Sequence, residues 1–355
     1  MNEPKARRAA WTEERRRSDE GRRRIKGTPE ASRKHSFLEV RDLTVDFGSF
    51  RAVDHASFSI EKGETLALVG ESGSGKSTVV RAVSQLTKTS GGEILLDGAR
   101  PGRRLRAYRK RVQLIFQDPF ASLNPMHTVG YHLARPLKML RGGGSVEAEV
   151  RALLRSVNLT PEDEIARSRP HELSGGQRQR VAIARALASS PDVLLADEPV
   201  SMLDVSIRLE ILNLLDRLKR ERNLALLYVT HDLATARYFS SRIMVMYRGQ
   251  IVESGPADEV ILRSAHPYTQ LLGSAAPSPS TSRADLAAAR RARASARADA
   301  AAERREILLD EGCRFRLRCP HAMDVCVTAP PVTTISDGHQ ARCWLHDSSL
   351  KSVPA

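Results

Sequence analysis

Not one cysteine occurs in the first 312 residues of this 355-residue chain. A disulfide-stapled fold is thereby excluded for most of its length, and stability must come from a hydrophobic core. Nor is there an uninterrupted apolar run approaching the ~18 to 20 residues of a membrane-spanning helix. The basic N-terminus is followed by no apolar stretch before a cleavage site, so a secretory signal is not expected. Internal repeats are absent too. Residues 1–36 have almost no aliphatic side chains, with twelve Lys/Arg against six Asp/Glu, and cannot bury a core. They read as a disordered basic arm. The expectation is a chain made and kept in the cytosol.

What is present is a core-forming sequence with 41% hydrophobic residues. The net charge of +14 and pI near 10.1 keep nucleic acid or an anionic membrane surface open as partners. Much of that charge sits in the arm and in the run from Arg283 to Glu306, where seven Arg face four acids. From Phe37, short alternating stretches ("FLEVRDLTVDF", "AVDHASFSI") predict strands. "TLALVG" is apolar enough for a strand buried on both faces. "GGEILLDG", "RVQLIFQ", "VLLA", "ALLYV" and "IMVMY" continue the strands, and "YRGQIVESG" reads as a hairpin turning at Gly249. Val146, Val150, Leu153, Leu154 and Val157 keep helical spacing. Alternating strands and helices predict an α/β domain with a largely parallel sheet.

"GESGSGKST", residues 70–78, follows the buried strand and opens a helix. Gly70, Gly75, Lys76 and Ser77 satisfy G-x-x-x-x-G-K-[ST]. Backbone N–H groups curl around a phosphate only with dihedral angles that glycine adopts cheaply, and the helix N-terminus adds positive potential. The loop Gly70, Glu71, Ser72, Gly73, Ser74, Gly75, Lys76, Ser77 and Thr78 therefore predicts a nucleotide-phosphate cradle, which alone does not separate a kinase, a GTPase, a helicase or a transporter motor. Lys76 would reach the β- and γ-phosphates, and Ser77 would ligate Mg²⁺. "VLLADEP" ends a strand in two carboxylates. Asp197 is placed to hold Mg²⁺ through water and Glu198 to orient or deprotonate the attacking water, an arrangement suited to hydrolysis. "LSGGQRQR" opens an amphipathic helix with Ser174, Gly175, Gly176 and Gln177 at its positive end. A second phosphate-binding helix start makes sense if it addresses a nucleotide held by another copy of the domain.

At these residues the sequence resembles the ATP-binding-cassette (ABC) ATPases, over about residues 37–265. The fold this implies is α/β, a P-loop NTPase: a RecA-like core, an antiparallel β part and a helical subdomain at about 118–186. The resemblance implies that Phe47 stacks on adenine, with Phe50 the second candidate. It gives Gln117 a contact to Mg²⁺ and attacking water, and His231 a contact to the γ-phosphate in support of Glu198. Asp204 would lie in the loop crossing a dimer interface, where Met202 replaces the usual alanine. "QDPFASLNP", "EPVSMLDVSIRLEILNLL" and "HPYTQLL" further resemble the oligopeptide/dipeptide importer subfamily, in particular the second of its paired ATPases. His55 stands where that family usually has glycine.

The resemblance implies an ATPase coupled to transport, peripheral to the cytoplasmic side of the cell membrane. A second ATPase subunit, two transmembrane permease subunits and a solute-binding protein are its implied partners. The rival readings are a non-transport ABC ATPase acting on nucleic acid, or a subunit of a phosphonate-degradation complex. A single cassette without a coiled-coil insertion weighs against the first, and the cysteine tail against the second.

Residues 266–306 read as a linker and 307–347 as a small C-terminal extension. Cys313, Cys319, Cys326 and Cys343 are separated by five, six and sixteen residues, with no C-x-x-C pair. In a reducing compartment this clustering favours a metal site over disulfides. The resemblance implies a [4Fe–4S] cluster; zinc, or no metal at all, remain alternatives. His321 and His346 read as surface residues.

Overall fold

The computed structural model describes residues 36–102, 105–140, 145–274 and 312–347. The predicted basic arm and the Arg-rich run lie outside the described residues. Strands β1 (Leu38–Phe47) and β2 (Phe50–Ile60) pair antiparallel and, with β4 (Gly91–Leu96), make a three-stranded sheet ordered β2-β1-β4. His55 takes φ 50°, a left-handed value that a glycine adopts without strain.

The second sheet holds eight strands. Its parallel part is built from β3 (Thr65–Val69), β5 (Val112–Ile115), β6 (Val193–Asp197), β7 (Ala225–Thr230) and β8 (Arg242–Tyr247) in the order β8-β3-β7-β6-β5. All five residues of β3, and all five of β6, are buried, as expected for strands covered on both faces. Leu66 and Leu68 face one core with Val79, Val80 and Val83 of helix α1 (Lys76–Val83). Ala67 and Val69 face the other. The period-two alternation of a strand thus divides the protein's interior into two apolar layers.

Helix α2 (Leu105–Arg111) leads into β5. Between β5 and β6 the described chain is helical: α3 (Pro119–Ser122), α4 (Val129–Leu140), α5 (Val146–Ser156), α6 (Glu162–Arg167) and α7 (Gly175–Leu187). In α5, capped by Ser145, the predicted positions Val150, Leu153 and Leu154 are buried, as is Val157 just beyond it. Helix α8 (Val205–Arg222) joins β6 to β7, and α9 (Leu233–Phe239) joins β7 to β8. β9 (Gln250–Pro256) folds back on β8 through Gly249 at φ 86°, the predicted hairpin. Helix α10 (Ala257–Leu262) follows.

Two expectations about the C-terminal part need correction. The predicted linker does not begin at residue 266, because α11 (Pro267–Ser274) is a helix whose Tyr268 is fully buried. The His266-Pro267 step marks a helix start, since proline at the first helical position has no N–H to leave unpaired. Residues 275–306 of that linker lie outside the described residues. Nor does the four-cysteine segment stand apart as a small extension. Its hairpin β10 (Val332–Ser336) and β11 (His339–Arg342) adds antiparallel to β9, giving the edge order β10-β11-β9-β8. Phe315, 1% exposed, packs with Tyr247 and Tyr268 in the main core. Asp337-Gly338, with Gly338 at φ 70°, is the turn that makes the hairpin.

Candidate functional site

Four parallel strands carry the site on one edge of the sheet, outside their carboxyl ends. Register decides who meets whom. Ile115 pairs with Ala196, so Gln117 stands beside Glu198, two residues on in each strand. Val69 pairs with Thr230, which sets Gly70 beside His231.

The glycine loop leaves β3 at Gly70. A Cβ there would lie 2.2 Å from the carbonyl oxygen of Met246, so no other residue fits without moving the neighbouring strand. Gly75 caps α1 at φ 107°. Ser74 and Lys76 are buried, Ser72 and Gly73 exposed, and Glu71, Ser77 and Thr78 half-buried. The Lys76 ammonium folds back and donates to the carbonyl oxygens of Gly70 and Glu71, 2.8 Å each. Burial pushes its pKa below the ordinary lysine value, while the carboxylates of Glu198, Asp197 and Glu71 oppose that shift. The Ser77 hydroxyl donates to Asp197 at 3.2 Å. Burial raises the Asp197 pKa against that hydrogen bond. A hydroxyl and a carboxylate side by side form the hard oxygen pair that Mg²⁺ prefers.

Glu198 is the hub. Its Oε2 accepts from Gln117 Nε2 at 3.2 Å and lies 3.3 Å from His231 Nδ1. Its backbone, at φ 45°, is pinned by a 3.0 Å bond from its N–H to the Val229 carbonyl. The hydrogen bond from His231 holds the Glu198 carboxyl below the usual carboxylate range, and the same bond raises His231 above an ordinary imidazole. The loop, Asp197, Glu198, Gln117 and His231 are thus brought together.

Other predicted residues lie in separate settings. Ser174 caps α7 and exchanges hydrogen bonds with Gln177, Oγ accepting from the Gln177 N–H at 3.2 Å and the Gln177 side chain accepting from the Ser174 N–H at 2.9 Å. Ser174 stays exposed at this helix start, with Gly175 half-buried and Gly176 buried. Asp204 occupies the cap of α8 with no side-chain capping bond, between exposed Met202 and Val205. Phe47 ends β1 with its ring 54% exposed, cross-strand from Phe50, also exposed.

All four cysteines are free thiols lining one cavity, together with His266 and Phe315. Burial raises Cys313 and Cys319 and pushes Cys343 up to about 11. Among the described residues, no three His, Cys, Asp or Glu side chains converge as ligands of a single ion would. His321 lines the same cavity, and His346 is no idle surface residue: its Nε2 lies 2.8 Å from the Ala265 carbonyl.

Sequence reasoning missed the contacts that reach the glycine loop from the C-terminal part. The Tyr268 hydroxyl accepts from the Glu71 N–H at 2.9 Å, and Arg318 pairs with both Glu71 carboxylate oxygens at 3.0 Å. Only the density of arginines between Cys313 and Cys319 hinted at a charged partner.

Residues 53–201 match the ABC transporter family, and residues 252–326 match the oligopeptide/dipeptide transporter C-terminal region. The probable peptide ABC transporter ATP-binding protein y4tS of Sinorhizobium fredii is 40% identical over 321 residues, 88% of each chain. The oligopeptide transport ATP-binding protein AmiF of Streptococcus pneumoniae is 45% identical over 254 residues, covering 68% of this chain and 82% of that one. A solved dimeric ATP-binding cassette in a post-hydrolysis state, bound to ADP and Pi, aligns with a TM-score of 0.56 at 31% identity, over 62% of this chain and 98% of that one. Similarity of this extent reaches both the cassette and the segment folded against it, and it shows that the chain belongs to the ABC transporter family, as an ATPase with the oligopeptide/dipeptide transporter C-terminal region.

Proposed function

We propose that this chain is the ATP-hydrolysing subunit of a binding-protein-dependent importer of peptides or related solutes, peripheral to the cytoplasmic face of the membrane. The observation that carries the hydrolytic part is the convergence of Gln117 and His231 on one oxygen of Glu198, beside the Ser77–Asp197 pair. Peptide as the solute is supported by the names of the relatives and by the match of residues 252–326.

In this reading the loop 70–78 and the start of α1 surround the ATP phosphates with backbone N–H groups. Lys76 exchanges its bonds to the Gly70 and Glu71 carbonyls for phosphate oxygens. Phe47 offers an exposed ring to adenine. Ser77, Asp197 and Gln117 would hold Mg²⁺, which supplies charge neutralisation at the phosphates. Glu198, kept ionised by His231, takes the proton of the attacking water. His231, carrying a raised pKa, faces the charge developing on the γ-phosphate.

Ser174 to Gln177 is a helix start with Ser174 exposed, whose own capping leaves the N–H groups of Gly175 and Gly176 for a phosphate held by a second nucleotide domain. Asp204 and its exposed apolar neighbours suit the same closure. The second domain is a paired ATPase of the same family, and closure acts on two permease subunits. The test is reconstitution with the permeases and the solute-binding protein in vesicles. ATP turnover should rise when the binding protein carries a peptide, with labelled peptide accumulating in step. Turnover indifferent to loaded binding protein would overturn the importer reading.

The four thiols would hold a [4Fe–4S] cluster. The reading rests on the four cysteines lining one cavity, the number of thiolates such a cluster takes. Protein isolated without oxygen should contain about four irons per chain and absorb broadly in the visible. Cys343→Ser should abolish both. Zinc bound one per chain without iron would overturn the cluster.

A further inference from the structure

The loop read above as the phosphate cradle is not held by the cassette alone. Glu71, its second residue, is gripped three ways. Its N–H donates to the Tyr268 hydroxyl and its carbonyl accepts from Lys76. Its carboxylate takes both arms of the Arg318 guanidinium, Nη1 to Oε2 and Nη2 to Oε1 at 3.0 Å each. Tyr268 is fully buried and packs on Tyr247, ring centroids 4.5 Å apart. Arg318 Nη1 also lies 3.4 Å from the Tyr247 hydroxyl.

The other end of the loop is reached through one intermediary. The Ser74 carbonyl accepts from the Gly249 N–H at 2.8 Å, at the tip of the β8–β9 hairpin. That tip is held by Arg314, which donates to the Arg248 carbonyl and pairs with Asp54 at 2.6 Å. Arg314 and Arg318 belong to one short stretch of the C-terminal segment, anchored by buried Phe315 between them. Two guanidiniums set on one turn therefore address the loop at Glu71 directly and at Ser74 through Gly249.

We propose that Arg318 is a positioning residue for ATP: by fixing Glu71 through a bidentate pair it sets the loop's resting shape, so the C-terminal segment governs nucleotide affinity in cis. The inference rests on the reading of residues 70–78 as the phosphate cradle. Lys76 must swing from the Gly70 and Glu71 carbonyls when phosphate arrives, and a Glu71 peptide held from outside keeps its place while that happens. A fork-shaped donor suits this task because two parallel bonds fix orientation as well as distance.

The pair is partly exposed, with side-chain exposure of 42% for Glu71 and 25% for Arg318, so its effect is moderate. In the full-length chain assembled with its transporter partners, Arg318→Ala should raise the Kd for a fluorescent ATP analogue and the KM for ATP about two- to fivefold, with kcat changed less than about 1.5-fold. Arg318→Lys should fall between, because it keeps the charge and loses the fork. Glu71→Gln breaks the pair from the other end without touching the C-terminal segment and should raise Kd similarly. The exchange Glu71→Arg with Arg318→Glu should recover part of the loss.

Protease resistance of residues 312–347 is read in parallel. Weakened binding that appears only when the segment has become protease-sensitive would mean a merely structural contact, and would overturn the proposal. So would parental affinity in both Arg318→Ala and Glu71→Gln. Lys76→Ala, measured alongside, separates the two levels. If it abolishes ATP binding while the Arg318 and Glu71 variants bind normally, the positioning role alone fails. If Lys76→Ala binds ATP normally, the cradle reading itself fails.

Discussion

Glu198→Gln in the assembled transporter will bind ATP about as well as the parent and turn it over about 10²- to 10⁴-fold more slowly. The amide keeps the size of the side chain and an oxygen able to accept from Gln117, so the site stays formed. What it loses is the capacity to take a proton from water. The carboxylate is ionised at neutral pH, as a base must be, and it is positioned for that role by Gln117 and His231, the latter holding its pKa below the usual carboxylate range. The same substitution removes the partner that raises His231. In the variant the imidazole should therefore lose its proton at lower pH than in the parent, a shift that NMR titration of the ring would register. Single-turnover kinetics with bound ATP measures the chemical step directly. Near-parental turnover would show that another group takes the proton.

Glu253→Ala will detach the C-terminal segment. This carboxylate is 1% exposed in β9 and accepts from three groups: the Ala265 N–H at 2.8 Å, the His266 N–H at 2.9 Å and Nε2 of His339 at 2.8 Å. His339, itself fully buried in β11, has no other hydrogen-bond partner for its ring among the described residues. Alanine leaves those donors buried without an acceptor, at about 1–3 kcal/mol each. The β11–β9 pairing rests on only two residue pairs, Gln340 with Ser254 and Ala341 with Glu253, so it has little in reserve. Residues 312–347 should become cleavable by trypsin at their arginines, while the glycine loop, Asp197 and Glu198 remain in a folded cassette. Full protection of that segment in the variant would falsify this assignment of the latch.

The parts of the site written in local sequence were the most legible. Gly70 to Thr78 follows a buried strand and opens a helix, and strand, turn and helix start all leave marks within a dozen residues. Asp197 and Glu198 were visible for the same reason, at the end of an apolar strand. The meeting of Gln117, Glu198 and His231 is different. Nothing local says that β5, β6 and β7 lie side by side, and those roles came from resemblance; strand register supplies the physical cause. Least legible was the C-terminal part. Its hairpin is short, β10 is mostly exposed, and its partner strand lies far back in the chain, so no apolar periodicity announces it. Asp337-Gly338 was the one local signal. The His266-Pro267 step was ambiguous, since proline ends one element as readily as it begins another.

The brace on the glycine loop also has a place in time. Arg318 follows Glu71 by 247 residues, so at typical ribosomal speeds the loop waits about 12 to 50 s for its partner to be made. Once made, β9 is a bare sheet edge, open to pairing with any neighbouring chain, until β11 is made and closes it. A copy released by a stop between β9 and Arg318 would carry the glycine loop, Asp197, Glu198 and His231, without Arg318 on Glu71 and with β9 uncovered. Arrival of β11 thus separates copies whose edge is covered from earlier nascent ones, in the same stretch of synthesis that supplies Arg318 to the glycine loop.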